Sequence, residues 1–396
     1  MGACPRKRAA RRVAHGMWTH SAGFLKSTPE TYPEMQSGLS WALGALDKGY
    51  YVARVIQWRP RFFADGWGNV EAAEAAQFEL CQQFKPEPPA LEWEKPRGNL
   101  CVASFESPMA HRLPEEARLA SFHFVSPERS DIALVEPWNS EPTAPTAIVL
   151  LMPATAEETP DGRIALAQKL AEDGVCSLIL GAPFYGKRKP TNQQMHYIRT
   201  VEMFLDQSTA IVAEAASLMC WCASRWPGVP ICVSGFSWGG AMTCVSSIVA
   251  SQLAPSAQIV AVPYAGSATP AVLVDGLLQD DIQWSALGES ADFDKTRDRL
   301  MNVLLQTHLS KIVENVEGKP QLAGLHVVNF ENDGFVKAEY GEELYTIMST
   351  CCKPDATRVF RWQSGGHVYA FLARQQLQVD AIQQACKACR GLAARL

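Results

Sequence analysis

A serine flanked by glycines in the middle of the chain is the first candidate for chemistry. Residues 235–239 have the sequence Gly-Phe-Ser-Trp-Gly, with an apolar run before them and a helical pattern after them. Small residues two positions before and after a serine permit the sharp strand-to-helix turn that exposes a nucleophilic hydroxyl. The N-terminus of that helix would face a developing anion. We therefore predict that Ser237 is a nucleophile, the alternative being an ordinary glycine-rich turn with an incidental serine.

A serine hydroxyl becomes an effective nucleophile only when a nearby base removes its proton. Among the eight histidines of the chain, His367 is the best candidate for this base. It follows the last strand pattern and two glycines, which let the loop turn the imidazole towards a site. It also follows Ser237 in the chain, as the histidine does in enzymes with this type of turn. The alternative is a buried histidine that caps the C-terminal helix.

An acidic side chain is needed to orient the base and to stabilise its protonated form. Asp333 lies in Glu-Asn-Asp-Gly at residues 331–334, directly after a predicted strand and ahead of His367 in the chain. Gly334 permits a turn that suits Asp333, whereas Glu331 lies nearer to the end of the strand. We predict that Asp333 is the acid, with Glu331 as the competing candidate and a solvated acidic turn as the structural alternative.

The elements that must position these side chains alternate regularly from residue 100 onwards. Continuous apolar runs separated by helical patterns are typical of a parallel sheet with helices on both faces. The predicted strands are 100–105, 119–126, 146–152, 175–180, 231–236, 258–264, 325–330 and 358–363, and the longer predicted helices are 163–172, 197–225 and 238–253. The first two strands are expected to pair with each other. Ligands of such folds lie at the carboxyl ends of the strands, where Ser237, Asp333 and His367 should meet.

The whole chain is predicted to divide into three segments. Residues 1–29 are a basic extension, 30–97 an aromatic-rich helical segment that ends in a loop at 86–97, and 98–396 the α/β domain. Within that domain, 265–320 lacks a strand pattern and is expected to be a helical lid. The aromatic residues within 36–85 are expected to pack on the α/β domain, with contact to a membrane surface as the alternative.

The first 29 residues carry several Lys and Arg residues but no acidic residue. An Arg-rich, acid-free N-terminus is typical of a transit peptide, here to a mitochondrion or a plastid. The alternative is a solvated basic tail of a cytoplasmic protein. A myristoylated Gly2 is disfavoured because Arg6 stands where a serine or threonine is expected.

Composition excludes several classes of protein. The 396-residue chain is 47% hydrophobic with a net charge of −5, which excludes a largely disordered chain and gives no general attraction to nucleic acid. No apolar run approaches the length of about 20 residues that spans a bilayer. The 12 cysteines are scattered, and Cys386 and Cys389 form a single CxxC without a neighbouring histidine. No metal and no organic cofactor is therefore predicted.

Several segments beyond the serine turn are similar to those of a known family. They lie at 62–68, 105–111 and 182–190, and the Asn332-Asp333 turn and Gly365-Gly366-His367 match as well. From about residue 60 to 375 the chain resembles the α/β-hydrolase domain-containing protein 18 family. The resemblance implies an α/β-hydrolase fold with a mostly parallel central sheet, and a serine hydrolase with Ser237, Asp333 and His367 as its triad. A lipid or other acyl ester is the substrate that it implies.

One loop departs from the pattern of that family. Its members usually have Gly-Thr-Gly after the strand that here ends at Met152, whereas this chain has Pro-Ala-Thr-Ala-Glu-Glu at 153–158. In the general fold, this loop and the residue after the nucleophile each donate one backbone N–H to the oxyanion hole. We therefore expect the hole to be formed by Trp238 together with Thr155 or Ala156. Loss of one donor typically slows such catalysis about 10²–10³-fold.

Three consecutive basic residues follow the strand that ends at Leu180. Lys187, Arg188 and Lys189 are expected on the same rim as Ser237, where they could bind a phosphate or carboxylate of a substrate. A solvated basic loop is the alternative.

Together these residues predict a serine hydrolase that cleaves a carboxylic ester or thioester, with a lipid acyl ester as the leading substrate class. Ser237 would form an acyl-enzyme that water then hydrolyses. The altered loop at 153–158 motivates a different hypothesis, in which a catalytically degenerate hydrolase fold serves as a lipid-binding or interaction module. A third hypothesis is acyl transfer to an alcohol by the same triad, which the sequence does not distinguish from hydrolysis.

Overall fold

The computed structural model describes residues 45–49, 61–127, 144–289 and 292–393. Contacts divide the chain into Met1–Tyr32 and Pro33–Leu396, and all described residues belong to the second of these units. The predicted basic extension at 1–29, and with it the predicted transit peptide, lies outside the described residues.

A nine-stranded sheet forms the centre of the described part of the chain. Its spatial order is β1-β2-β3-β5-β4-β6-β7-β8-β9. The pairs β1–β2, β2–β3 and β3–β5 are antiparallel, and all other neighbouring pairs are parallel. The strands are β1 Glu92–Trp93, β2 Leu100–Glu106, β3 Leu119–Val125, β4 Ala147–Met152, β5 Val175–Leu180, β6 Ile231–Phe236, β7 Ile259–Tyr264, β8 Leu322–Phe330 and β9 Cys352–Gln363. The predicted fold class, an α/β fold with a mostly parallel sheet, is confirmed.

The strand predictions agree with the structure except at a few ends. β5 and β6 begin and end where their apolar runs do. β9 begins six positions earlier than the run at 358–363, because its first half contains polar residues that no apolar pattern reveals. β1 lies within 86–97, which the sequence predicts to be a loop. Its two residues have no periodicity of their own and are strand only because they pair with β2.

Helices cover both faces of the sheet. Alternate residues of β4 show the division: Ile148 and Leu150 belong to one apolar layer, with α3 and α4, and Val149 and Leu151 belong to the other, with α2 and α11. Burial on both faces explains why the parallel strands are continuously apolar. The helices are α1 Val70–Gln82, α2 Asp161–Ala171, α3 Val201–Arg225, α4 Trp238–Leu253, α5 Val272–Asp275, α6 Trp284–Leu287, α7 Phe293–Gln306, α8 Leu309–Asn315, α9 Ala338–Thr350, α10 His367–Ala373 and α11 Gln375–Ala393.

Helices joined by turns and loops make up the described part of the connection between β7 and β8. It contains α5 to α8. Leu300 and Leu304 of α7 and Ile312 of α8 are buried in the same apolar layer as α3 and α4. Asp275 accepts hydrogen bonds from Lys337 and Tyr340, which links the connection to the segment that follows β8. The connection is therefore packed on the domain, and its action as a lid stays a prediction.

The helical segment expected at 30–97 is described in part. Residues 45–49 are helical, and α1 is capped by Asn69, whose side chain accepts a hydrogen bond from the Ala72 N–H. The buried face of α1 packs against α3. Residues 33–44 and 50–60 lie outside the described residues. Within the described chain, no helix has the length and apolar character to cross a membrane.

Candidate active site

Ser237 occupies a strained turn between β6 and α4. Its backbone has φ 59° and ψ −119°, a conformation that a non-glycine residue adopts only when its surroundings impose it. The Ser237 N–H donates to the Tyr264 carbonyl at 2.9 Å, and the Gly240 N–H donates to the Ser237 carbonyl at 2.8 Å. These bonds, together with the packing of α4 against the sheet, hold the serine at the carboxyl end of β6.

The two outer glycines of the turn are required by contact distances. A Cβ on Gly235 would lie 2.6 Å from the carbonyl carbon and oxygen of Gly239 and 2.7 Å from the Met152 Cβ. A Cβ on Gly239 would lie 2.6 Å from the Pro153 carbonyl oxygen. No rotation of a side chain could relieve these contacts, since most of them are with backbone atoms. The steric reason for the Gly-x-Ser-x-Gly spacing is thus present in the structure.

His367 lies between Ser237 and Asp333. Its Nε2 is 2.8 Å from the Ser237 Oγ, and its Nδ1 is 2.6 Å from the Asp333 Oδ2. Since an ionised carboxylate only accepts hydrogen bonds, Nδ1 carries the ring proton and Nε2 accepts from the serine hydroxyl. In this arrangement, the imidazole can remove the serine proton while the carboxylate stabilises the resulting positive charge.

Asp333, rather than Glu331, is the carboxylate next to the histidine. Its Oδ1 accepts hydrogen bonds from the N–H groups of Phe335 and Val336, at 2.8 and 2.7 Å, so its other oxygen faces His367. Asp333 is buried, whereas Glu331 is exposed. The Glu331 N–H continues the pairing of β8 with β9 by donating to the Gln363 carbonyl. The turn that follows the strand therefore selects between the two candidates that the sequence left open.

The imidazole of His367 is the first side chain of α10 and is buried between two aromatic rings. The rings of Phe236 and Phe335 lie 4.6 and 5.2 Å from it, centroid to centroid. Burial lowers the pKa of His367, but the charge of Asp333, the hydrogen bond to Asp333 and the charge of Asp47 outweigh burial and raise this pKa above its ordinary value. The protonated imidazole is thus stabilised by its surroundings.

The backbone N–H groups at the expected oxyanion hole differ in whether a hydrogen-bond acceptor within the protein already occupies them. The Trp238 N–H, at the start of α4, has no acceptor among the described residues, and the same is true of the Thr155 N–H. The Ala154 N–H donates to the Glu157 carboxylate at 3.0 Å. Ala156 has a φ of 66°, in the left-handed region that favours glycine. Trp238, with Thr155 or Ala156, therefore stays the predicted pair of donors for the oxyanion hole.

The basic residues after β5 do not form an anion site around Arg188. The Arg188 guanidinium forms a bidentate ion pair with Glu214, at 2.6 and 2.8 Å, and its other N–H groups donate to the carbonyls of Ala117 and Gly181. Both charged side chains are almost fully buried. Lys189 pairs with Glu158 at 3.0 Å, and Lys187 is exposed. Because all N–H groups of Arg188 are bound within the protein, the expectation that it binds a substrate anion is wrong.

A small cavity adjoins the serine turn. Its volume is about 90 Å³. It lies where the loop after β4 meets α10 and α11, and its apolar lining comes from Met152, Leu166, Phe236, Tyr264, Ala370 and Phe371. Phe371 is about half exposed, and its neighbour Leu372 is more exposed still. A second cavity, of about 520 Å³, lies between α1 and α7 and is lined mainly by charged and amide side chains, away from the serine.

Two polar side chains at the site were not predicted from the sequence. Tyr185 lies buried in the loop after β5, and its ring lies 6.3 Å from that of Trp238, centroid to centroid. Asp47 comes from outside the predicted α/β domain and contacts the backbone beside both Asp333 and His367. Tyr185 lies within the family-like segment 182–190 but had no predicted role, and Asp47 belongs to none of the recognised segments, so their places at the site follow only from the three-dimensional arrangement.

The sheet order, the helices on both faces and the strained serine after β6 define an α/β-hydrolase fold. The model of the family described as alpha/beta hydrolase domain containing 18 matches residues 60–317. The match covers more than half of the chain, which therefore belongs to this family. The resemblance inferred from the sequence motifs is confirmed.

Solved structures with similar folds include esterases of low sequence identity. Acetyl xylan esterase 1 from Thermoanaerobacterium sp. JW/SL YS485 is 11% identical, with a TM-score of 0.50, and the match covers 81% of this chain and 96% of that one. The hyperthermophilic esterase from the archaeon Pyrobaculum calidifontis is 15% identical, with a TM-score of 0.47, and the match covers 91% of this chain and 99% of that one. At these identities the similarity extends to the fold alone.

Proposed function

We propose that this protein is a serine hydrolase that cleaves a carboxylic ester or thioester, with Ser237 as nucleophile, His367 as general base and Asp333 as the orienting acid. The observation that carries the proposal is the continuous pair of hydrogen bonds from the Ser237 Oγ through His367 to Asp333, at 2.8 and 2.6 Å. The strained backbone of Ser237 supports it further, since strain that surrounding contacts maintain is typical of functional sites.

The proposed reaction has two steps. In the first, the Ser237 Oγ attacks the carbonyl carbon of the substrate while the His367 Nε2 takes the hydroxyl proton, and the protonated imidazole then gives that proton to the departing alcohol or thiol. In the second, His367 removes a proton from water as the water oxygen attacks the acyl carbon. The bond from that carbon to the Ser237 Oγ then breaks, and the protonated imidazole returns the proton to the Oγ as the acid leaves. The free Trp238 N–H at the start of α4 would bind the negative oxygen in both steps.

We propose an acyl ester with an apolar acyl group, of the kind found in lipids, as the substrate. The cavity of about 90 Å³ next to Phe236 supports this acyl group, because its lining is mainly apolar although Glu157 and Arg163 also border it. Ligand pockets usually have volumes of about 300–1,000 Å³, so this cavity alone accommodates only a short chain. A longer chain would extend over Phe371 and Leu372, whose exposed side chains offer an apolar surface.

The first experiment measures covalent labelling with a fluorophosphonate probe. The full-length chain should be labelled, and Ser237→Ala should not. Ser246→Ala is the matched control, because this serine lies further along α4, is buried and has no hydrogen-bond partner for its hydroxyl among the described residues, so its loss should leave labelling unchanged. Labelling that persists in Ser237→Ala would contradict the proposal.

The second experiment measures turnover of p-nitrophenyl esters with acyl chains of increasing length. Turnover that is greatest for short chains would place the acyl group in the cavity beside the turn, whereas turnover that rises with chain length would indicate use of the exposed apolar surface. Hydrolysis of a matched acyl thioester tests the second substrate class. Product analysis with an added alcohol would reveal acyl transfer.

A catalytically degenerate fold that binds lipids or a partner is the competing function. One observation favours it: in the 153–158 loop, the Ala154 N–H donates to the Glu157 carboxylate and the Glu157 N–H donates to the Ala154 carbonyl, so both donors are used within the loop. Labelling of Ser237 without measurable turnover of any ester or thioester would support this alternative. Turnover that depends on Ser237 would exclude it.

A further inference from the structure

Asp47 binds the backbone next to both Asp333 and His367 of the proposed triad. It lies in the helical residues 45–49 and has no solvent-exposed surface. Its Oδ2 accepts hydrogen bonds from the N–H groups of Gly334 at 2.8 Å and His367 at 2.9 Å, and its Oδ1 accepts one from Val368 at 2.8 Å. A single carboxylate thus joins the turn that carries Asp333 to the loop that carries His367.

The glycines of both loops leave room for this carboxylate. A Cβ on Gly366 would lie 2.6 Å from the Asp47 Oδ2, and a Cβ on Gly334 would lie 3.3 Å from the Asp47 Cβ. Gly366 does not have the positive φ that would itself require glycine. The approach of Asp47 therefore gives a physical reason for glycine immediately before His367.

Asp47 also serves as the side-chain cap at the start of α10. The first N–H groups of a helix have no partner within the helix, and a side chain at the preceding position usually accepts from them. At α10 that position is Gly366, which has no side chain. Asp47, from a distant part of the chain, accepts from the His367 and Val368 N–H groups instead. Its contacts hold the backbone of His367 directly.

The charge of Asp47 acts on the imidazole as well as on the backbone. Burial raises the pKa of Asp47, and hydrogen bonds from three backbone N–H groups oppose this effect. Asp47 and Asp333 are the charged groups whose fields raise the pKa of His367, and the other neighbours of the ring, Phe236 and Phe335, are uncharged. Replacing Asp47 by an isosteric neutral residue should therefore lower the pKa of His367.

We propose that Asp47 is a positioning residue of the hydrolase: it holds the Asp333 turn and the start of α10 in register, so that His367 lies within hydrogen-bond distance of both Asp333 and Ser237. This inference rests on the proposed function. It adds to the proposed active site a residue from outside the predicted α/β domain. That segment contains none of the serine, histidine and aspartate motifs.

The test replaces Asp47 by asparagine in the full-length chain and measures kcat and KM for a p-nitrophenyl ester as a function of pH. We expect kcat to fall about 10²-fold, because small displacements of reacting groups have effects of this size, while KM changes little. The acid limb of the kcat/KM profile should move to lower pH, and a nuclear magnetic resonance titration of the His367 imidazole should show the same direction.

Two variants separate positioning from a general loss of stability. Asp206→Asn is the matched control, since Asp206 is also a buried carboxylate but binds Arg112, and among the described residues no hydrogen bond joins it to Ser237, Asp333 or His367. It should lose stability without moving the acid limb. Asp47→Glu keeps the charge but not the length, and it should lower kcat while leaving the acid limb near its wild-type position. Asp47→Glu also serves if Asp47→Asn does not fold.

The outcomes distinguish this inference from the proposed function. If the wild-type chain is labelled at Ser237 and Asp47→Asn retains wild-type kcat with an unmoved acid limb, the role of Asp47 is overturned and the proposed function stands. If the wild-type chain is neither labelled nor active, both are overturned. A folded Asp47→Asn chain with lower kcat, unchanged KM and a shifted His367 titration supports both.

Discussion

Replacement of Arg188 by methionine tests whether this residue binds a substrate or supports the fold. Its ion pair with Glu214 has N–O distances of 2.6 and 2.8 Å, and the side chains of Arg188 and Glu214 are 4% and 0% exposed. Removing the arginine would leave the Glu214 carboxylate buried without a partner, which typically costs about 3–5 kcal/mol. The carbonyls of Ala117 and Gly181 would also lose their donors. We expect Arg188→Met to lower the free energy of unfolding by about 4 kcal/mol.

The assay is urea unfolding followed by tryptophan fluorescence, combined with a double-mutant cycle. Glu214→Leu in the Arg188→Met background removes the unpaired carboxylate, so the double variant should be more stable than Arg188→Met alone, by about 2 kcal/mol or more. Lys187→Met is the matched control, because Lys187 is the exposed neighbour of Arg188. Its effect on stability should stay within about 0.5 kcal/mol.

A different pattern would refute this reasoning. If Arg188→Met lowered stability by less than about 1 kcal/mol while it raised KM for an anionic ester and left KM for a neutral ester unchanged, Arg188 would bind substrate after all. The structure predicts the opposite: a large loss of stability, and at a temperature where the variant stays folded, the same ratio of activity on anionic and neutral esters as the wild type.

Three further predictions concern the site and its support. Gly235→Ala should destabilise the chain and abolish fluorophosphonate labelling, because its Cβ would lie 2.6 Å from backbone atoms of Gly239; a labelled, stable variant would contradict the steric argument. Asp333→Asn should lower kcat by about 10⁴-fold at neutral pH, as in other triads, since asparagine no longer holds the ring proton on Nδ1; a loss below tenfold would refute its role. Burial and the charge of Arg361 lower the pKa of His326 to about 4, so the unfolded chain binds a proton below pH 6.5 that the folded chain does not. Stability should therefore fall by up to about 3 kcal/mol as the pH drops from 6.5 to 4, and His326→Leu should weaken this dependence in urea unfolding at the two pH values.

Local sequence patterns predicted most of the sheet because both faces of its parallel strands are buried. A strand of this kind must be continuously apolar, and β5 and β6 were recognised at both ends for this reason. The polar first half of β9 and the two residues of β1 carry no such pattern. Their strand conformation depends on pairing with a neighbour that is distant in the chain.

The candidate site was predictable where its chemistry follows a fixed spacing. Ser237 and its glycines obey a steric rule of the turn, and His367 follows glycines at the end of the last strand. The choice between Asp333 and Glu331 required the geometry of the turn, which buries one carboxylate and exposes the other.

The sequence alone thus determined the continuously apolar strands, the serine turn and the order of the residues proposed for catalysis, because the strands and the turn depend on neighbours a few positions away. Tertiary structure decided that Arg188 is a buried partner of Glu214 and that Asp47 contacts the backbone beside Asp333 and His367. These contacts join residues far apart in the chain, 320 positions in the case of Asp47 and His367. A charged residue in isolation is expected at the surface, and only a partner supplied by the fold makes its burial stable.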